Sequence, residues 1–128
     1  MSHRFSILER IRSFRFAIHG VIFTVQSQHN AWIHTGASIA VLAAGWYAEL
    51  GRDGWLWLVA AITLVWAVEA LNTAIECLAD AAVPEIHPLI GQAKDAAAGA
   101  VLIAVLGAVT VGLMVLGPPL FEKFLGGS

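Results

Sequence analysis

The chain has 128 residues, 59% of them hydrophobic and only 12% charged, with a net charge of -2 and a single cysteine. A soluble domain carries about 25% charge, and a chain this short has too much surface to hide so much apolar side chain from water, so lipid must be its partner. The weak negative charge excludes a basic nucleic-acid binder, and Cys77, having no second cysteine to pair with, reads as a small apolar filler of a helix.

Four of the seven Lys and Arg residues (Arg4, Arg10, Arg12, Arg15) fall in the first fifteen positions. Ile7, Leu8, Ile11, Phe14 and Ile18 recur between them at helical spacing. The pattern predicts, within residues 1–30, an amphipathic helix on the membrane surface with its cations toward anionic headgroups; the plainer alternative is a helix packed against the rest of the protein. The hydrophobicity here is too broken for a cleaved signal peptide.

A first span is predicted over about 33–50, interrupted only by small polar residues. Residues 49–54 form a hydrated turn bracketed by Trp46, Tyr47, Trp55 and Trp57, rings that favour the headgroup level. A second span covers about 55–80, apolar in its first half only, and a loop with Pro84 and Pro88 follows. A third covers about 94–117 and is ended by Gly117-Pro118-Pro119. Ala96, Ala100, Ala104, Ala108 and Gly112 form a small-residue ridge along it, suited to close helix packing within or between subunits. The positive-inside rule puts the basic N-terminus and the 81–95 loop in the cytoplasm, with the Trp-flanked turn and the C-terminus outside. The fold class is therefore an all-α membrane protein, one domain over 1–128, with a surface helix and three transmembrane helices.

The second half of the second span carries the chemistry. Glu69, Asn72, Glu76 and Asp80 stand at offsets 0, 3, 7 and 11, one face of a helix. A charge at mid-membrane costs roughly 2.5–3.5 kcal/mol on insertion scales, so this stripe faces a cavity, a metal or another helix. Glu69 lies about 21 Å beyond Trp55 at 1.5 Å per residue, near the cytoplasmic edge of a hydrocarbon layer about 30 Å thick. The stripe thus joins a membrane-dissolved group to a cytosolic one. Lys94 and Asp95, at the start of the next helix, with Glu85 and His87 before them, supply a cation and an N-terminus for phosphate and carboxylates for a divalent metal. Phosphoryl transfer is chiefly positioning and charge neutralisation, which such a set provides. These residues alone leave open a kinase, a proton- or ion-coupled carrier, and a noncatalytic subunit. No Walker A motif is present: Gly107 and Gly112 have the spacing, but Leu113-Met114 follow. His19, His29 and His34 do not have the spacing of a metal site.

The run Glu69-Ala-Leu-Asn-Thr-Ala-Ile-Glu76 with Asp80, then Glu85-Ile-His87, then Ala93-Lys94-Asp95-Ala-Ala-Ala-Gly-Ala-Val, resembles the prokaryotic diacylglycerol kinase and undecaprenol kinase family. Ser13-Phe-Arg-Phe-Ala17 with Gly20, and Asn30-Ala-Trp-Ile-His34, fit as well, so the resemblance covers about 10–116. It implies a homotrimer with active sites shared between subunits, transferring the γ-phosphoryl group of ATP, with magnesium, to a lipid hydroxyl. By match, Glu69 is the general base and, with Asn72, meets the lipid and positions the reacting groups. Glu76 binds the metal on the ATP phosphates, Glu85, His87, Lys94 and Asp95 contact ATP, and Asp80 is a further site residue. Gln28 stands where many relatives have a glutamate metal ligand, and so joins the ATP and metal set with a neutral oxygen. Trp32 replaces a usual arginine. The Asn-Ala-Trp-Ile-His and Lys-Asp-Ala-Ala-Ala-Gly-Ala-Val segments look closer to the undecaprenol kinase branch, which favours undecaprenol over diacylglycerol as acceptor. Among carriers, small multidrug proteins share the length and a membrane glutamate but have four spans and no Lys-Asp cluster.

Overall fold

A computed structural model describes residues 6–27, 29–82, 85 and 87–126. These form four helices: α1 (Ile7–Ser27), α2 (His29–Tyr47), α3 (Arg52–Ala82) and α4 (Pro88–Leu125). The regular elements among the described residues are all helices, in keeping with the predicted class. Two of the helices, α3 and α4, are long and apolar enough to cross a membrane.

Each boundary has a local cause. The Ser6 Oγ accepts the Glu9 N–H at 3.4 Å, and serine with glutamate three positions on is the pairing that starts helices. Between α2 and α3 the chain reverses within 48–51. Glu49 takes a left-handed φ of 55°. Its N–H donates to the Trp46 carbonyl, and the Leu50 N–H to the Gly45 carbonyl. This is the paired closure that usually employs glycine at the left-handed position. The glycine instead sits at 45, where α2 and α3 approach each other. A Cβ there would lie 3.0 Å from the Trp55 ring and 3.3 Å from Leu50 and Leu58. At the other loop, Pro88 opens α4 and the His87 Nδ1 caps it by accepting the Leu89 N–H at 3.2 Å.

Two expectations change. α4 starts at Pro88, before position 94, and it does not stop at Gly117-Pro118-Pro119 but runs through both prolines to Leu125. Each proline lacks an N–H and removes one bond of the ladder. Tertiary contacts hold the extra turns in place. Lys123 donates to the Tyr47 carbonyl at 2.7 Å and to the Glu49 carboxylate at 2.8 Å. Phe124 leans on Tyr47, and Leu120 packs against the cluster of Ala48, Leu58 and Leu116. The small-residue ridge of α4 also divides. Ala104 is buried and Ala108 and Gly112 are half-buried, whereas Ala96 and Ala100 are exposed and Ala97 is buried in their place.

The principal contact is α3 along α4, with α2 alongside α3. A single chain covers little of its apolar surface. It exposes 9905 Å², against roughly 6,600 Å² for a soluble monomer of this mass. On α1, Ile7, Leu8, Ile11, Phe14 and Ile18 are all exposed, and Thr24 is its buried residue. The apolar side of α1 is therefore open while the helix touches α2 and α3, so the surface reading and the packed reading are compatible. Cys77 is likewise exposed rather than filling a gap between helices.

Candidate active site

The compact Ala48–Leu58–Leu116 cluster anchors the turn end of the molecule. The polar stripe occupies the opposite end of α3. Exposure rises along it: Glu69 is 1% exposed and Asn72 buried, Glu76 is half-buried, and Asp80 is exposed. At 1.5 Å per residue the stripe climbs about 16 Å from interior to surface, the gradient that the sequence implies.

Within it, the Asn72 Nδ2 donates to the Glu76 Oε1 at 3.5 Å. Thr73 is buried and its hydroxyl donates to the Glu69 carbonyl at 2.9 Å, which occupies the hydroxyl without engaging the carboxylate. Neither carboxylate oxygen of Glu69 has a hydrogen-bond partner among the described residues, nor has the Asn72 Oδ1. Burying a carboxylate without hydrogen bonds costs on the order of several kcal/mol, which marks Glu69 as a candidate site residue.

At the wet end, Lys94 Nζ donates to Asp80 Oδ1 at 2.9 Å, tying the start of α4 to the end of α3. Lys94 also lies within electrostatic reach of Glu76. The pair brings the cation of the second patch to the carboxylates of the first, joining two segments 14 positions apart. Asp95 and Glu85 are exposed at this end. His87 is exposed too, and its Nδ1 is committed to capping α4, which leaves Nε2 to meet a ligand. Gln28 lies outside the described residues.

One residue near Glu69 escapes a reading by spacing. His34, on α2, places its Nε2 3.5 Å from the Glu69 Oε2. It lies 35 positions away, and only its place in the Asn30-Ala-Trp-Ile-His segment marks it. Trp66 meets the same histidine edge to face, centroids 6.2 Å apart at 73°. The Trp66 Nε1 donates to the Ser38 Oγ at 3.1 Å. The Ser38–Trp66 bond and the His34–Glu69 contact fix α2 antiparallel beside α3 down to the depth of Glu69.

This arrangement, a buried carboxylate leading to a surface ammonium and further carboxylates, coincides with a family match. Residues 15–116 match the model of the prokaryotic diacylglycerol kinases. The chain belongs to that family. The matched segment contains every candidate site residue named above, from Gln28 to Asp95. Relatives include an undecaprenol kinase of Bacillus subtilis, 36% identical over 118 residues that make up 92% of this chain and 96% of the relative. A diacylglycerol kinase of Synechocystis is 42% identical over 111 residues, 86% of this chain and 63% of the relative. The diacylglycerol kinase of Escherichia coli K12 is 38% identical over 87 residues, 62% of this chain and 70% of the relative. The family is one of membrane lipid kinases, so this chain is a lipid kinase, with a lipid acceptor and a nucleotide donor.

Magnesium is implied by the family. It binds proteins through one or two carboxylates and completes its shell with phosphates and water. Glu76, half-buried between Glu69 and the surface and touched by the Asn72 amide, offers a fitting oxygen donor. Among the described residues no group of three potential ligands converges, so most of the shell would come from ATP phosphates and water.

Proposed function

We propose that the chain phosphorylates undecaprenol at the cytoplasmic membrane surface, using MgATP, with Glu69 as general base. The single observation that carries the reading is the burial of Glu69, with no hydrogen-bond partner for its carboxylate among the described residues, at the inner end of a stripe that reaches the surface at Asp80 and Lys94. A lipid alcohol approaching from the bilayer meets Glu69, and ATP approaching from water meets Lys94.

The roles are those that the family resemblance implies, in keeping with the positions of the described residues along the stripe. Asn72 and Glu69 receive the lipid hydroxyl. Its proton passes to the Glu69 carboxylate as its oxygen bonds to the γ-phosphorus, and the bond from that phosphorus to the bridging oxygen breaks to release ADP. Glu76, with the oxygen of Gln28, would hold the magnesium, which neutralises phosphate charge when bound. Lys94 and Asp95, with Glu85 and His87 from the preceding loop, take the nucleotide, and Asp80 holds Lys94 in place.

The undecaprenol preference draws support from the match to the Bacillus subtilis undecaprenol kinase, which spans nearly the whole of both chains. A second acceptor, diacylglycerol, is favoured by the higher identity to the Synechocystis diacylglycerol kinase. Competition between the two alcohols in mixed micelles with MgATP separates them. The expected result is a larger kcat/KM for undecaprenol, and preferential phosphatidate formation would reverse the assignment.

Three transmembrane helices are part of the same reading. α2 is tied to α3 from the 48–51 turn to the level of Glu69, so if α3 crosses the bilayer α2 descends beside it. The basic α1 then lies on the cytoplasmic face, and the trimer covers the apolar surface that one chain leaves open.

A further inference from the structure

A general base works only if its oxygen is held where the hydroxyl arrives. Misplacement by about 1 Å costs on the order of a hundredfold in rate. Glu69 has a flexible side chain that is 1% exposed. Thr73, one turn further along α3, spends its hydroxyl on the Glu69 backbone carbonyl. On α2, His34 approaches the carboxylate with its Nε2 3.5 Å from the Glu69 Oε2.

His34 is itself restrained. Its ring stands edge to face against Trp66, and Trp66 is pinned by its bond to Ser38. The histidine forms the polar end of an apolar groove of about 440 Å³, lined also by Ser38, Val41, Leu58, Val65 and Val105. It borders a second, smaller hollow of about 230 Å³ against Ala98 and Val101. Its Nε2 is buried without a hydrogen-bond partner among the described residues and faces Glu69 at 3.5 Å, in a contact whose geometry is not that of a formed hydrogen bond. Contacts of this kind in unliganded sites are commonly long and tighten when substrate arrives.

We propose that His34 is the positioning residue for Glu69: its Nε2–H donates to one carboxylate oxygen and leaves the other for the lipid hydroxyl, while Trp66 and Ser38 hold the imidazole in place. The inference rests on the reading of Glu69 as the base. It assigns no substrate contact to His34.

The test is steady-state transfer at saturating lipid for wild type, Glu69→Gln, His34→Ala, His34→Leu and His34→Gln, with folding read from melting temperature in the same micelles. The His34→Ala and His34→Leu proteins should lose kcat roughly ten- to hundredfold, with KM for ATP within about twofold of wild type, because the nucleotide groups sit at the far end of the stripe. His34→Gln, which returns an N–H at similar reach, should recover most of the loss. Should the Ala variant not fold, the Leu and Gln variants, close to histidine in volume, decide between donor and bulk. A folded His34→Leu with wild-type kcat, or a His34→Gln no better than His34→Leu, overturns the proposal. If Glu69→Gln is inactive in that same experiment, the role of Glu69 survives and only that of His34 falls. Wild-type transfer by Glu69→Gln would instead remove the base, and the positioning role with it.

Discussion

At the scale of single residues, two glutamates show opposite uses of a carboxylate. Glu69 is held inside the helix bundle with its charge unanswered by a hydrogen bond, while Glu49 sits in the 48–51 turn and is answered directly. The Lys123 ammonium, by hydrogen bond first and charge second, holds the Glu49 carboxyl below the ordinary glutamate value. A carboxyl depressed in the folded state contributes stability that is fully present above the unfolded value and is lost as pH falls through the lowered one. The group is fully exposed, so the contribution is small. An NMR titration should find Glu49 ionising below the normal range in wild type and within it in Lys123→Met, with the amide protection of residues 120–125, corrected for intrinsic exchange, falling at low pH in wild type alone. Glu69, Asn72, Glu76 and Asp80 were legible in the sequence because helical spacing converts directly into a face. The partner of Glu69 was not. His34 lies on another helix, and no spacing rule reports a contact set by how two helices pack.

At the scale of elements, the sequence placed the helices well and their ends less well. The Trp-flanked turn appears where it was expected, although the left-handed residue is Glu49 and not a neighbouring glycine. The prolines misled at the end of α4, because proline reports a lost backbone bond and says nothing of the Lys123, Phe124 and Leu120 contacts that compensate. These contacts make the turn end the firm end of the molecule. Leu58, 1% exposed, is its centre. Leu58→Ala should cost about 2–5 kcal/mol by lost burial plus cavity, seen as a lower midpoint in detergent unfolding. Its kcat, measured well below that midpoint, should stay within a few-fold of wild type, since the site lies at the other end of α3. A large loss of kcat with unchanged stability would show that the two ends are coupled.

At the scale of the whole molecule, the exposed apolar area is the dominant fact. Roughly half again the surface of a soluble protein of this mass is uncovered, and hydrophobic composition alone made that legible. Composition does not say how the surface is divided between lipid and neighbouring copies, because Leu and Ile suit both. The split ridge of α4, buried at Ala97 and Ala104 but open at Ala96 and Ala100, leaves small residues free for a second helix. With the trimer that the family resemblance implies, sedimentation in density-matched detergent should give a protein mass three times that of the chain. A monomeric mass with full activity would confine the site to one subunit.

The central claim is that Glu69 removes the proton from a membrane alcohol as ATP phosphorylates it. Transfer from γ-labelled ATP to undecaprenol, by purified wild type and by a folded Glu69→Gln, tests it most directly. The account predicts labelled lipid phosphate from wild type and a loss of about 10²–10⁴-fold in the variant. Labelled lipid produced at equal rates by both proteins would contradict it.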